Sequence, residues 1–175
     1  MILVTGATGT IGSEVVRQLV ARGEKVRALT RDPANARVPG RVEAARGHHR
    51  DRASVDAALV GAEVAFLVGQ FGPEDADNGR GLVAAARAAG VRRIVKLSAI
   101  GTGDPALGPI GTWHLPGEQA VRDSGLEWTI LRPSAFASNT LAWAAAVRIP
   151  PVGAGPQADV RGGVRSSSGG GECGP

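Results

Sequence analysis

Apolar and polar positions alternate along the chain in blocks of strand and helix length. Ile2–Thr5 is a short apolar run of strand type. Apolar residues then recur at helical spacing from Ile11 to Arg22 (Ile11, Val15, Val16, Leu19, Val20), and Gly23 stands where a helix favours left-handed φ to stop. Lys25–Thr30 predicts a second strand. Asp32–Gly40, with Pro33, Pro39 and Gly40, predicts a loop or a short broken helix. Arg41–Arg46 is a weak third strand, Ser54 the expected cap of a short helix over Val55–Val60, and Glu63–Val68 a buried-type strand. An alanine-rich helix, Asn78–Ala89, ends at Gly90 and leads into the strand Val91–Ser98. A glycine- and proline-rich loop over Gly101–Gly111 precedes a helix over Pro116–Ser124, a strand over Leu126–Leu131 and a helix over Ala135–Val147.

Strands separated by helix-length crossovers predict an α/β domain with a parallel sheet covered on both faces. A glycine-rich turn directly after the first strand makes the doubly wound order the first choice. The pattern holds through residue 149 and fails after it. Residues 150–175 are rich in Gly, Pro and Ser and have few apolar positions with no period. Such a tail buries too little surface to offset its ordering entropy, so the expected organisation is one domain, 1–149, and a disordered tail, 150–175.

Composition narrows the classes. A chain of 175 residues, 43% hydrophobic and 21% charged, suits a single globular domain. The formal charge of +4 comes mostly from arginines scattered through the sequence, whereas nucleic-acid binders concentrate theirs on one face or in a run. The basic balance therefore predicts a solvated surface and no direct nucleic-acid partner. No apolar stretch approaches the roughly 20 residues that span a bilayer, so no membrane association is expected. The single cysteine, Cys173, fits a reducing compartment, and a strand beginning at Ile2 leaves no room for a signal peptide. The expectation is a soluble, cytoplasmic protein.

The segment Gly6-Ala7-Thr8-Gly9-Thr10-Ile11-Gly12 carries the candidate chemistry. Strand, glycine turn and helix N-terminus together suit a dinucleotide pyrophosphate: glycines let the backbone approach the phosphates, and the helix start offers free N–H groups at its positive end. A P-loop would need a lysine after the last glycine, where Ser13 stands. A methyl-donor nucleotide uses a similar turn and stays open. The second strand runs into Thr30-Arg31, where many NAD-binding chains carry an acid. Arginine there suits a 2′-phosphate and favours NADP(H) over NAD(H). Asp32, one position on, would restore an acid if the register moved, and Arg31 would then be a solvated loop residue.

The pieces TGATGTIGS, ALTRDP, VKLSAIG and SGLEWTILRPSAF, in this order and spacing, resemble the NmrA-like atypical short-chain dehydrogenase/reductases over about residues 1–148. The resemblance implies a Rossmann domain binding NADP(H), in a family of small-molecule reductases and catalytically silent dinucleotide sensors. It implies Gly6, Thr8, Gly9, Thr10, Ile11 and Gly12 at the pyrophosphate and Arg31 at the 2′-phosphate. Val68 and Gly69 would line the nicotinamide ribose, with Ser98 and Arg132-Pro133 beside the nicotinamide.

Three departures qualify it. Gly47-His48-His49 stands where the family often has Gly-Asp-Leu; paired loop histidines are expected to be solvated, and no third metal ligand is evident, so no metal site is expected. The chain has no tyrosine, which excludes the Tyr-x-x-x-Lys pair of ordinary short-chain dehydrogenases. His114-Leu115-Pro116-Gly117-Glu118 holds that place. His114 and Ser98 are the catalytic candidates, His114 as a proton donor to a reduced quinone or carbonyl oxygen. On the plainer reading His114 merely precedes a helix whose first turn carries Glu118. Finally, the resemblance stops after Arg161, which suggests a truncated or frame-shifted end. The expectation is an NADPH-dependent reductase of a small quinone or carbonyl compound. The alternatives are a non-catalytic NADP(H) sensor acting through a protein partner or a remnant without activity. A second copy of the chain is a further candidate partner, because Phe136, Leu141 and Trp143 would lack packing partners.

Overall fold

The computed structural model describes residues 1–68, 75–134 and 136–143. It divides into two compact units, Met1–Ser134 and Ala135–Pro175. In the first, β1 (Ile2–Val4), α1 (Thr10–Ala21), β2 (Val26–Thr30), β3 (Glu43–Arg46), α2 (Arg52–Leu59), β4 (Val64–Val68), α3 (Asp75–Ala88), β5 (Arg93–Leu97), α4 (Gly108–Thr112), α5 (Leu115–Arg122) and β6 (Glu127–Leu131) follow one another. The strands form one six-stranded sheet in the order β3-β2-β1-β4-β5-β6, parallel throughout. This is the doubly wound, Rossmann-type α/β sheet that the alternating pattern predicts.

Strand alternation builds two cores. Leu3, Leu29, Ala65, Leu67 and Ile94 pack with residues of α2, α3 and α5, including Val55, Leu59, Val83 and Val121. Val4, Val26, Ala28 and Phe66 pack on the other face with Val16 of α1. Helices α3 and α5 approach closely because glycines meet: a Cβ on Gly79 would lie 3.1 Å from the Gly117 Cα. A Cβ on Gly117 would lie 2.9 Å from Cε of Lys96, whose side chain is buried beneath that crossing.

Several boundaries differ from the sequence reading. Helix α2 starts at Arg52 and is capped by Asp51, whose side chain accepts from the Ser54 N–H at 3.3 Å, so Ser54 is not the cap. The acid wins because its carboxylate reaches a first-turn N–H, while the Ser54 hydroxyl bonds backward to the Asp51 carbonyl at 2.8 Å. Helix α3 begins at Asp75, three residues before the expected start. The expected loop over Gly101–Gly111 holds a 3₁₀ turn, Pro105–Leu107, and then α4. Proline occupies an early position in each, where it starts a helix as readily as it breaks one.

In the second unit, the expected helix over Ala135–Val147 is instead 3₁₀ over Ala137–Trp143, with Leu141 exposed; residues 144–147 lie outside the described residues, as does the tail over 150–175. No helix among the described residues is long and apolar enough to cross a membrane.

Candidate functional site

Apart from His114, which stands at the start of α5, the described candidate groups follow the carboxyl ends of the strands, where open α/β sheets bind ligands. The order in which the chain adds strands reverses between β1 and β4. At this switch point Thr5 ties the two strand ends together: its Oγ1 accepts from the Val68 N–H at 2.8 Å and donates to the Phe66 carbonyl at 3.3 Å. Gly6 follows at φ +60°, a conformation that strains any other residue, and a Cβ there would stand 3.2 Å from the Val68 Cβ. The Gly9 N–H closes the turn on the Gly6 carbonyl at 3.0 Å. Gly12 sits against that carbonyl so tightly that a Cβ would lie 2.1 Å from the oxygen.

Helix α1 therefore begins without a side-chain cap and without an acid in its first turn, while α2 is capped by Asp51. Its leading N–H groups and positive dipole end are left for an anion. Thr8, Gly9 and Thr10 are exposed around it, and Ile11 is half-buried. A cradle of bare backbone with no room for side chains fits a dinucleotide pyrophosphate.

On one side of the cradle, Arg31 follows β2 and is exposed. Asp32 does not take its place. Its carboxylate accepts from the Asn35 side chain at 2.7 Å and from the Asn35 N–H at 3.4 Å. These bonds hold its carboxyl below the ordinary range, with the charge of Arg46 a lesser cause. His48 and His49 stack with ring centroids 3.9 Å apart and are half-buried, not fully solvated as expected. Among the described residues no group of three or more His, Cys, Asp or Glu is placed to hold a metal.

On the other side, Val68 ends β4, and Gly69 lies outside the described residues. Ser98 follows β5, and its N–H donates to the Leu131 carbonyl at 2.8 Å; the Ile100 N–H donates to the Pro133 carbonyl at 2.9 Å. The structure thus brings Ser98, Arg132 and Pro133 to one place. It adds a residue that the sequence reading left as a simple first-turn acid. Glu118 is wholly buried. It accepts from Ser98 Oγ at 2.6 Å, from Arg132 Nε and Nη2 at 2.8 and 2.5 Å, and from Arg122 Nη1 at 3.0 Å. Burial pushes its carboxyl up, but the hydrogen bonds from Arg132 and Ser98, the Arg132 charge and the bond from Arg122 outweigh that and hold it below the usual range. Thr102 Oγ1 lies 3.2 Å from Ser98 Oγ and donates to the Ala99 carbonyl at 2.8 Å.

The Ser98 hydrogen is thereby committed to a carboxylate that stays ionised. Much of the Arg132 guanidinium is committed to the same carboxylate. His114 is buried at the start of α5, where its carbonyl accepts from the Glu118 N–H at 3.0 Å. One signal for Glu118 was present in the sequence: His114, Gly117, Glu118 and Val121 follow the i, i+3, i+4, i+7 spacing of a buried helix stripe. A larger depression, of 450 Å³, lies between α3 and α5 beside Val83, Arg87, Ala120 and Asp123 and gathers none of the candidate residues.

A family profile described as NAD(P)H-binding matches residues 6–154. Among curated proteins, a (4-alkanoyl-5-oxo-2,5-dihydrofuran-3-yl)methyl phosphate reductase of Streptomyces griseus is 48% identical over 150 residues, 85% of this chain and 52% of that protein. An NAD(P)H azoreductase of Xenophilus azovorans is 39% identical over the same length and share. Among solved structures, an NADPH-dependent quinone oxidoreductase of Escherichia coli, complexed with NADPH, superposes with a TM-score of 0.74 at 31% identity; the match covers 83% of this chain and 53% of that one. The chain spans about half the length of the curated relatives it matches.

Proposed function

The chain belongs to the NAD(P)H-binding, NmrA-like family of atypical short-chain dehydrogenase/reductases, and from that premise we propose that it is an NADPH-dependent reductase of a small quinone or carbonyl compound. One observation carries the reading: the order of groups along the carboxyl edge of the sheet. Arg31 stands at the end of β2, the bare glycine cradle at β1, Val68 at β4 and Ser98 at β5. That order suits an extended dinucleotide with its 2′-phosphate at one end and its nicotinamide at the other. The relatives' names support the reaction class, since they reduce a quinone, an azo compound and a furanone phosphate.

The bound nicotinamide would supply the hydride. The chain's own part is to hold and orient it and to manage a proton. Gly6, Gly9 and Gly12, with the first N–H groups of α1, would hold the pyrophosphate, and Arg31 the 2′-phosphate. Ser98 is a poor proton source because Glu118 already takes its hydrogen. With no tyrosine in the chain, His114 is the donor the sequence leaves.

Calorimetric titration with NADPH and NADH tests the binding half. Arg31→Ala should weaken NADPH roughly ten- to a hundredfold, the worth of a charged hydrogen-bonded contact, and leave NADH nearly unchanged; equal losses for both would remove Arg31 from the site. NADPH oxidation against quinones, azo dyes and conjugated lactones tests the catalytic half. His114→Ala should lower turnover roughly a hundredfold while NADPH affinity stays; unchanged turnover would take His114 out of the mechanism. The missing tyrosine and the committed Ser98 hydrogen favour a second reading, a silent NADP(H) sensor with a regulatory protein partner. Tight NADPH binding with no oxidation by any acceptor would select it.

A further inference from the structure

We propose that the ends of β2 and β3 form a phosphomonoester pocket in which Arg46 and His48 act together with Arg31, so that selectivity for a 2′-phosphate is shared between two strands. The inference rests on the dinucleotide reading above and assigns its phosphate end.

Thr30 pairs with Arg46 in the parallel register, and the ladder continues one step further, with the Gly47 N–H donating to the Thr30 carbonyl at 2.8 Å. Arg31 and Arg46 therefore leave the sheet from adjacent strand ends, diagonally placed and one residue out of register with each other. Both line one cleft of 330 Å³ together with His48, Asp51 and Ser54. Among the described residues neither arginine is ion-paired. Nearby Arg27 and Arg52, by contrast, are held by Glu43 and Asp56 at 2.8 and 2.7 Å. Two guanidinium groups facing one cleft repel each other, and a doubly charged anion between them would reverse the sign of that interaction.

The two carboxylates nearby have other partners. Asp32 is turned onto Asn35, and Asp51, which also lines the cleft, caps α2 through the Ser54 N–H. His48 supplies a third donor. Its N–H is fixed by Ser54 Oγ at 3.1 Å, and its Nδ1 accepts from the Arg50 N–H at 3.3 Å. In the neutral ring the hydrogen then resides on Nε2, which can only donate. The family's usual acid at this position could only accept. Gly47 brings this donor close: a Cβ there would lie 2.5 Å from Leu29 Cδ1 and 3.0 Å from Ser54 Oγ, so the β3 end would be pushed away from α2.

Adenosine 2′,5′-bisphosphate and AMP differ by the 2′-phosphate alone, and calorimetric titration of the full chain with each isolates the pocket. Wild type should bind the bisphosphate at least roughly tenfold more tightly than AMP. Arg46→Ala should remove most of that advantage with AMP affinity unchanged. His48→Gln, which keeps a donor, should retain it, and His48→Asp should lose it. Thermal melting of each variant should stay near wild type, because Arg46 is exposed and His48 half-buried. Equal losses for both nucleotides in Arg46→Ala would overturn the proposal, as would no loss for either. Inorganic phosphate binding as tightly as the bisphosphate would also overturn it, since the cleft would then be a general anion site. Binding of NADPH and NADH with equal affinity would defeat this inference and leave the dinucleotide reading standing; binding of neither would defeat both.

Discussion

Gly12→Ala should abolish measurable NADPH binding and destabilise the fold by roughly 1–3 kcal/mol, the usual cost of forcing extra atoms into a packed site. The added Cβ would lie 2.1 Å from the Gly6 oxygen, 2.6 Å from its carbonyl carbon and 2.9 Å from the Ala7 Cα. All three are backbone atoms, so no side chain can swing aside. The loop itself must move, and the carbonyl it displaces is the one that receives the Gly9 N–H. Binding then suffers more than stability, because the cradle is made of backbone geometry and little else. Gly9→Ala is the matched control: its Cβ would meet only the Gly6 oxygen, at 3.3 Å. It should cost far less in both respects. Denaturant midpoints and NADPH titrations on the two variants check the contrast, and a Gly12→Ala protein that binds like wild type would refute the cradle.

Glu118→Ala should cost about 2–3 kcal/mol of folding stability. Breaking a buried ion pair from one side costs roughly 3–5 kcal/mol. The lower figure applies here because the Arg122 and Arg132 side chains are 36% and 40% exposed, so water recovers part of the loss. The pH dependence has a definite direction. The folded-state pKa of Glu118 is lowered, so its contribution is fully present above the unfolded glutamate value of about 4.3. It is lost as pH falls through the lower folded value. The stability gap between wild type and Glu118→Gln should therefore close on acidification and stay constant from about pH 6 upward. Urea midpoints across that range measure it. A gap that widens toward low pH would mean that the carboxylate is not the ionised partner of Arg132.

The two sites differ in how much of them the sequence shows. The cradle is contiguous, from Gly6 to Gly12, so chain order places its parts. Ser98 and Arg132 are legible as strand-end residues, since apolar runs give the strands and ligands gather at their carboxyl ends. Glu118 is not legible in the same way. A glutamate in a first helical turn satisfies the dipole whether it faces water or core. Only the packing of α5 against the ends of β5 and β6 brings Ser98 and Arg132 to it. Arg46 is likewise one of many arginines until the β2–β3 register sets it beside Thr30, the residue before Arg31. The helices around Pro105 and Pro109 escaped the pattern because proline starts a helix as readily as it stops one.

Local sequence pattern is enough for the parallel α/β sheet and for the glycine turn that follows β1. Both rest on local facts: apolar period and glycine at fixed offsets. Tertiary structure alone decided which charges meet. It joined Glu118 to Ser98 and Arg132, and it brought Arg31 and Arg46 to one cleft. Those pairings depend on strand register and helix rotation, which bring residues distant in the chain within hydrogen-bond reach and which no local spacing encodes.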